Sequence, residues 1–373
     1  MALVLYRKYR PKTFSEVINQ EHVIKTLTNA ILNGMISHAY LFYGPRGTGK
    51  TTVARILAKA VNCENRNGFE PCNKCSSCVE INEGRALDLV EIDAASHRGI
   101  DDIRELREGI RFAPTKSEYK IFIIDESHQL TKEAANALLK TLEEPPSHAI
   151  FVLATTEVHK MIPTIISRCQ RFDFRRLQVP EIVKKLDFIT KKEDIKIEKS
   201  AKELIALNSV GSIRDAESLL DQAVTFFVSS KKVKEIKTED IKDLLGLVEI
   251  DSVAKFTDLL LEKKTSDALN LLQETVDKGL DIQEFAKTLV NYLRKVLIIR
   301  LAGTGVGVSN SPLILGHTKE ELQKIKQQAD SFDERDLRRI LNLFLEAENK
   351  VKYSSIPQLP IELAIIEGLK KEE

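Results

Sequence analysis

No charge of one sign dominates this sequence. Lys and Arg total 56 and Asp and Glu total 55, a formal net charge of +1. Bulk electrostatics therefore argues neither for nor against a nucleic-acid partner, and any basic surface must be local. Long hydrophobic runs are also missing. No apolar stretch of about 18 residues occurs, which excludes an ordinary membrane-spanning helix. The N-terminal MALVLYRKYRPKTF holds too short an apolar run for a secretory signal. The expected setting is the cytoplasm, with no membrane partner. Cysteine is scarce outside one place: of five in 373 residues, four fall between 63 and 78. That distribution is unlike the spread disulfide framework of a secreted protein, and in a reducing compartment it points to metal. Internal repeats and low-complexity tracts are absent as well.

What is present fits two or three domains of ordinary size, and 43% apolar residues suffice for their cores. Over residues 1–177, strand-like and helix-like segments alternate. HAYLFYG (38–44), DLVEIDA (88–94), KIFIIDE (120–126), AIFVLATT (149–156) and QRFDF (170–174) are short, apolar and mostly bounded by turn or polar residues. Between them, TTVARILAKAV puts Val53, Ile56, Leu57, Ala60 and Val61 on one helical face. TKEAANALLKTLEEPP starts at the capping residue Thr131 and ends at Pro145 and Pro146. This alternation is the pattern of an α/β fold with a parallel sheet covered on both faces. From 178 to 245 the pattern is helical, with Ser212 capping one helix and Thr238 starting another. From 246 to 373 it is helical throughout, broken by the loop GTGVGVSN at 303–310.

Gly44-Pro45-Arg46-Gly47-Thr48-Gly49-Lys50-Thr51 fits G-x-x-x-x-G-K-S/T between a strand and a helix. Glycines let backbone N–H groups turn inward around phosphate oxygens, and the helix N-terminus adds partial positive charge. Lys50 is placed to reach the β- and γ-phosphates of ATP, and the Thr51 hydroxyl to ligate Mg²⁺. Thr52 extends the nucleotide-contacting stretch. By chance alone such a string arises in roughly one chain in a hundred of this length.

IFIIDES sets Asp125 and Glu126 at the end of a fully apolar strand. Adjacent side chains there diverge, so Asp125 is expected to serve Mg²⁺ through its water shell and Glu126 to orient and deprotonate the attacking water. A further strand ends in Thr155 and Thr156, either of which suits a γ-phosphate or water contact or a plain strand-end turn.

The cysteines are spaced C-x8-C-x2-C-x2-C: Cys63, Cys72, Cys75 and Cys78. Four thiolates complete a tetrahedral Zn²⁺ and leave no position for a reacting water, so the expected role is structural, in an insertion at 62–79. Redox chemistry at C-x-x-C is the poorer reading, because two such pairs overlap here. Cys169 reads as a small buried apolar residue.

Together YRKYRPKTFSEVINQEHV, HAYLFYGPRGTGKTT, the four-cysteine insertion, IFIIDESHQLTKEAANALLKTLEEPP, LATT, SRC and GSIRD resemble, in that order, the bacterial DNA polymerase III gamma/tau subunit family. The match is strong to about residue 245; beyond 250 it rests on helical content and length. The resemblance implies an AAA+ P-loop ATPase with a five-stranded sheet in the order 5-1-4-3-2, a helical lid and an all-α collar. It implies the motor of a sliding-clamp loader within the DNA polymerase III holoenzyme. Its partners would be other loader subunits, with self-association possible, the clamp, and primer–template DNA. By the same resemblance Thr156 becomes the first sensor, and Arg168 an arginine finger reaching a neighbouring subunit's ATP. Arg214 becomes a second sensor acting from the lid, and Tyr9, Arg10, Pro11 and Val17 the segment lying against adenine. Asn19 stands where relatives often have Gly, and Ser96 to Asp101 with Arg98 resembles a DNA-facing helix start. Other readings are a non-hydrolysing loader scaffold like the delta-prime subunit, a replication factor C small subunit, or a Holliday-junction helicase motor. The scaffold wants a broken phosphate loop, the second lacks the cysteine insertion, and the third carries a winged helix in place of the last domain.

Overall fold

The computed structural model describes residues 4–97, 99, 103, 106, 108–228, 235–245, 250–277, 281–302 and 319–370. Packing divides the chain into two units, Met1–Lys196 with Ile205–Ser230 and Ile197–Leu204 with Lys231–Glu373. Arg98, Ile100 and Asp101, and the loop at 303–310, lie outside the described residues.

The first unit opens with two helices, α1 (Leu5–Lys8) and α2 (Glu21–Leu32), then β1 (Ala39–Tyr43) and α3 (Lys50–Val61). Next come α4 (Ser76–Glu83), β2 (Leu89–Asp93), β3 (Lys120–Asp125), α5 (Lys132–Glu143), β4 (Ala149–Thr155), α6 (Pro163–Ile166) and β5 (Gln170–Asp173). The strands pair in parallel in the order β2-β3-β4-β1-β5, which is the expected 5-1-4-3-2 read from the other edge. All seven residues of β4 are buried, as a central strand covered on both faces must be. One face of the sheet packs on α2 and α3 through Phe14, Val53, Leu57, Phe42 and Val152. The other packs on α5 through Leu138, Phe122 and Phe151, whose rings stack at 5.3 Å. Each such side chain contributes about 1.5–3 kcal/mol by leaving water. Thr131 caps α5 by accepting from Ala134 N–H.

Helices α7 (Val179–Lys192) and α9 (Ile213–Ala223) follow, on either side of α8 (Lys199–Asn208). Ser212 caps α9 by accepting from Asp215 N–H. By packing, α7 and α9 belong to the unit that holds the sheet. The N-terminal segment ties them there. Lys185 Nζ donates to the Tyr9 carbonyl at 3.1 Å, and Asn19 Nδ2 to Glu181 at 2.7 Å. Asn19 is left-handed at φ 52°, a backbone that asparagine tolerates.

The second unit is helical: α10 (Thr238–Leu244), α11 (Ile250–Leu261), α12 (Thr265–Asp277), α13 (Ile282–Ala302), α14 (Lys319–Ser331), α15 (Glu334–Val351) and α16 (Leu359–Leu369). Phe256 centres its core, edge-on to Phe285 at 5.3 Å and to Phe344 at 6.0 Å. A buried Gln328 is fully used: it accepts from Tyr292 OH at 2.7 Å and donates to the Ala254 carbonyl at 2.9 Å. Among the described residues no helix is long and apolar enough to cross a membrane.

Candidate functional site

Residues 44–49 turn the chain from β1 into α3. Gly47 has φ 74°, and a Cβ there would fall 1.9 Å from Ser212 Oγ, so the turn closes only around glycine. Gly49, at φ 100°, occupies the N-cap of α3 in the left-handed region and brings no side chain over the first-turn N–H groups. Lys50 is buried, and its Nζ donates to the carbonyls of Gly44 at 2.7 Å and Pro45 at 2.9 Å. Burial lowers its pKa, while Glu126 and Asp125 favour its charge. Thr51 Oγ1 donates to Asp125 Oδ2 at 2.7 Å.

Asp125 ends β3, and Glu126 follows it in the left-handed region at φ 47°. That backbone is costly for a non-glycine residue and gathers at functional sites. It turns the two carboxylates apart. Asp125 meets Thr51, whereas Glu126 Oε2 accepts from Thr156 Oγ1 at 3.0 Å. The two threonines at the end of β4 are thereby separated. Thr155 is buried against His128 Nδ1 at 2.9 Å, and Thr156 faces the acid.

Lys50, Thr51, Asp125 and Glu126 meet at a cavity of about 410 Å³, which Thr156 does not line but adjoins through its bond to Glu126. Of the residues singled out from sequence, Arg46, Gly47, Thr48, Gly49, Lys50, Thr51, Thr52, Asp125, Glu126, Arg10, Pro11, Val17 and Arg214 line it. Gly44 and Pro45 contribute through the carbonyls that hold Lys50. Tyr9 does not line the cavity; its hydroxyl bonds Glu193 and its ring stands edge-on to Phe188. Tyr6 is in the lining instead, with the Arg214 guanidinium 5.0 Å from its ring centroid. Arg214 is carried there because Ile213 N–H donates to the Gly47 carbonyl at 3.2 Å. Arg168 stands outside the lining, ion-paired to Glu143 at 2.5 Å and donating to the Thr164 carbonyl at 2.8 Å.

Sequence reasoning missed Tyr6, Ile18, Asp93, Lys185 and Glu217 in this lining. Burial, then the neighbouring Arg55, lowers Arg10 to about 10, so it remains charged at neutral pH. Glu217 is buried, and its pKa is raised to about 7 by burial against the opposing pull of Lys185 and Arg10. The sign of its pH effect follows. Below the ordinary value of 4.5 both folded and unfolded chains hold the proton. Between 4.5 and about 7 only the folded chain does, so stability falls as pH rises across that window. Glu217→Gln is expected to raise the melting temperature by about 5 °C at about pH 8 and to leave it unchanged at about pH 4. Melting curves at the two pH values decide this; an equal shift at both would show that the carboxylate's charge is not the cause.

The second cluster is the cysteine insertion. The four sulfurs of Cys63, Cys72, Cys75 and Cys78 lie within 4.8 Å of one another. Cys63 and Cys75 sulfurs are 4.0 Å apart, close to the separation of about 3.8 Å that ligands at zinc–thiolate distances span in a tetrahedron. Backbone N–H groups already point at the sulfurs, from Cys72 to Cys63 and from Cys75 to Cys72, both at 3.2 Å. Those from Lys74 and Cys75 lower the Cys72 thiol to about 6. Such donors favour thiolate, the form a metal takes. Cys78 sits within α4, a helix that sequence reading did not place. Cys169 is partly buried, and burial raises its pKa to about 12, an inert thiol.

A glycine loop entering a helix, diverging acids on a strand two places away and an arginine-bearing helix over the loop, on a sheet of this order, define an AAA+ P-loop ATPase. Family comparison identifies which one. Residues 19–178 match the model for DNA polymerase III, delta subunit, and 181–227 that for the DNA polymerase III clamp loader subunit, ATPase lid domain. Residues 236–370 match DNA polymerase III subunits gamma and tau domain III. The chain is 34% identical to the DNA polymerase III subunit gamma of Buchnera aphidicola subsp. Acyrthosiphon pisum, over 97% of each chain. It is 43% identical to the DNA polymerase III subunit tau of Bacillus subtilis and 35% identical to that of Escherichia coli, over 97% and 98% of its own length. The chain belongs to the bacterial DNA polymerase III gamma/tau subunit family. It spans 62% and 55% of the length of those two tau relatives. Among solved structures, the Thermotoga maritima RuvB Holliday junction branch migration motor is similar at TM-score 0.48 and 21% identity, over 73% of this chain and 86% of that one. That likeness is too slight to bear on what this chain does.

Proposed function

We propose that this chain is an ATP-driven motor subunit of a bacterial sliding-clamp loader, opening the clamp and placing it on primed DNA. The observation that carries the reading is one cavity that gathers Lys50, Thr51, Asp125, Glu126 and Arg214. The intact acid pair beside an intact loop favours hydrolysis over a scaffold role.

In this reading Lys50 exchanges its carbonyl partners for the β- and γ-phosphates of ATP. Thr51 and Asp125, a hydroxyl and a carboxylate in contact, form a hard oxygen pair suited to Mg²⁺. Thr51 and Asp125 would hold the ion, which would supply positive charge to offset the negative charge of phosphoryl transfer. Glu126 takes the proton of the attacking water, held in aim by Thr156. Arg214 reads the γ-phosphate from the helical lid, here 178–245, and so couples ATP to lid closure. Arg168 serves a neighbouring subunit's ATP. The Arg10, Pro11 and Val17 side of the cavity, with Tyr6 in place of Tyr9, takes the adenine. The all-α segment, 246–373, forms the collar that joins loader subunits. The apolar Leu359, Leu363 and Ile366, exposed one and two turns apart on α16, support that assignment. ATP then biases an arc of subunits between clamp-gripping and clamp-releasing states through contacts made in only one of them.

The test is ATPase rate in a loader reconstituted with its other subunits. Clamp and primed DNA together are expected to stimulate it; a rate indifferent to both would remove the clamp-loading role. For the four cysteines we propose a structural Zn²⁺. Elemental analysis of native protein is expected to find one zinc per chain, and Cys72→Ser to lower that content and the melting temperature more than the ATPase rate. A metal-free, fully folded native sample would count against it.

A further inference from the structure

The residues on the proposed adenine side come in two pairs, Arg10 with Pro11 and Val17 with Ile18. Between them runs a short strap, 12–16, ending in the 3-10 turn Phe14–Glu16. The first N–H groups of such a turn have no partner inside it. Here both are met from the cysteine insertion. Glu70 accepts from Phe14 N–H through Oε2 and from Ser15 N–H through Oε1, each at 2.8 Å. A carboxylate forked on two amides is a charge-assisted contact, stronger than a neutral pair. Glu70 is itself fixed by a tight turn in which Asn67 and Glu70 exchange backbone hydrogen bonds at 3.2 and 3.0 Å. Phe69 beside it packs on the buried Phe14 ring, with centroids 6.4 Å apart.

The other end of the strap is tied through Lys59 on the last turn of α3. Its ammonium is buried and donates to three oxygens: the Lys12 carbonyl at 2.7 Å, Asn73 Oδ1 at 2.7 Å and Asn82 Oδ1 at 2.9 Å. Those are all the donors a lysine has. One cation thus joins the strap, the cysteine loop and α4. Asn73 adds a bond of its own to the Lys12 carbonyl at 3.3 Å. The helix bearing Lys59 starts with Lys50 and Thr51 of the phosphate loop.

We propose that the cysteine insertion is a positioning device for the nucleotide pocket, with Glu70 and Lys59 as its positioning residues. They hold the strap so that Arg10, Pro11, Val17 and Ile18 stay formed as one wall. The inference rests on the reading of this cavity as the ATP site, and it gives the insertion a task beyond its own folding. It separates base from phosphate: a loosened strap weakens whatever carries adenine and leaves bare polyphosphate alone.

The test is calorimetric binding of ATP, ADP and inorganic tripolyphosphate to the full chain, as wild type, Glu70→Ala and Glu70→Gln. Amide hydrogen exchange at Phe14 and Ser15 is read alongside. Glu70→Ala is expected to weaken ATP and ADP equally, by about tenfold (about 1.4 kcal/mol). Tripolyphosphate affinity should stay within about twofold, and exchange at the two amides should quicken. Glu70→Gln keeps one acceptor and should fall between; if the Ala variant fails to fold, the Gln variant bears the comparison. Equal loss for all three ligands would make Glu70 merely structural and overturn the proposal, as would unchanged ATP affinity with faster exchange. A wild-type chain that binds ATP no better than Lys50→Ala does would remove the ATP site itself, and the proposal with it.

Discussion

Lys50→Ala is expected to weaken ATP binding by about 100-fold, or about 2.7 kcal/mol, measured by calorimetry with Mg²⁺ present. The physical case begins with burial. Lys50 is 6% exposed, yet it lies in a lining that also holds Asp125 and Glu126. Its charge is tolerated because the carbonyls of Gly44 and Pro45 accept from it at 2.7 and 2.9 Å. Those carbonyls keep the ammonium aimed before ligand arrives, so little side-chain entropy is lost on binding. Hydrogen bonds to charged groups are worth about 1.5–3 kcal/mol each, and phosphate oxygens would take over this one. Alanine removes the donor and also leaves the two carboxylates facing an incoming polyanion with one cation fewer. Unchanged ATP affinity would show that the loop at 44–51 is not the phosphate cradle.

Much of this site could be read directly from sequence because its determinants are local. The phosphate loop is an eight-residue string whose glycines are needed for backbone reasons that act over two or three residues. Asp125 and Glu126 could be found because they interrupt an apolar strand, and Thr131 and Ser212 because capping acts within one turn. The cysteines declare themselves by spacing. What escaped depends on contacts distant in sequence. YRKYRP offers two tyrosines three residues apart, and only the docking of α9 decides that Tyr6 meets Arg214 while Tyr9 turns to Glu193. Glu217 and Lys185 look like solvent-facing charges on amphipathic helices; both are buried because α7 and α9 close over the N-terminal segment. Lys59 sits beside an apolar stripe and reads as its polar flank, yet oxygens from residues 12, 73 and 82 converge on it.

Arg168→Ala is expected to lower the rate of ATP hydrolysis by about 1,000-fold in an assembled, clamp- and DNA-stimulated loader, with ATP affinity within about twofold of wild type. An arginine finger suits this position because a planar guanidinium matches charge spread over phosphoryl oxygens. In the chain by itself Arg168 is held at the surface by Glu143 and the Thr164 carbonyl and does not line its own cavity. Both partners are well exposed, 33% for Arg168 and 47% for Glu143, and a surface ion pair of that kind is worth about 0–1 kcal/mol. Transferring the guanidinium to a neighbour's ATP therefore costs little, against a finger's barrier-lowering of about 4–7 kcal/mol. Single-turnover and steady-state rates measured on the isolated chain and on the reconstituted complex separate the two roles. The isolated chain should hydrolyse ATP at the same slow rate with or without Arg168, because the proposed finger would act only on another subunit. A substitution that slows the isolated chain equally would place Arg168 in its own site. One that leaves the assembled loader at full speed would return Arg168 to the role its ion pair alone describes, a surface link between α5 and α6.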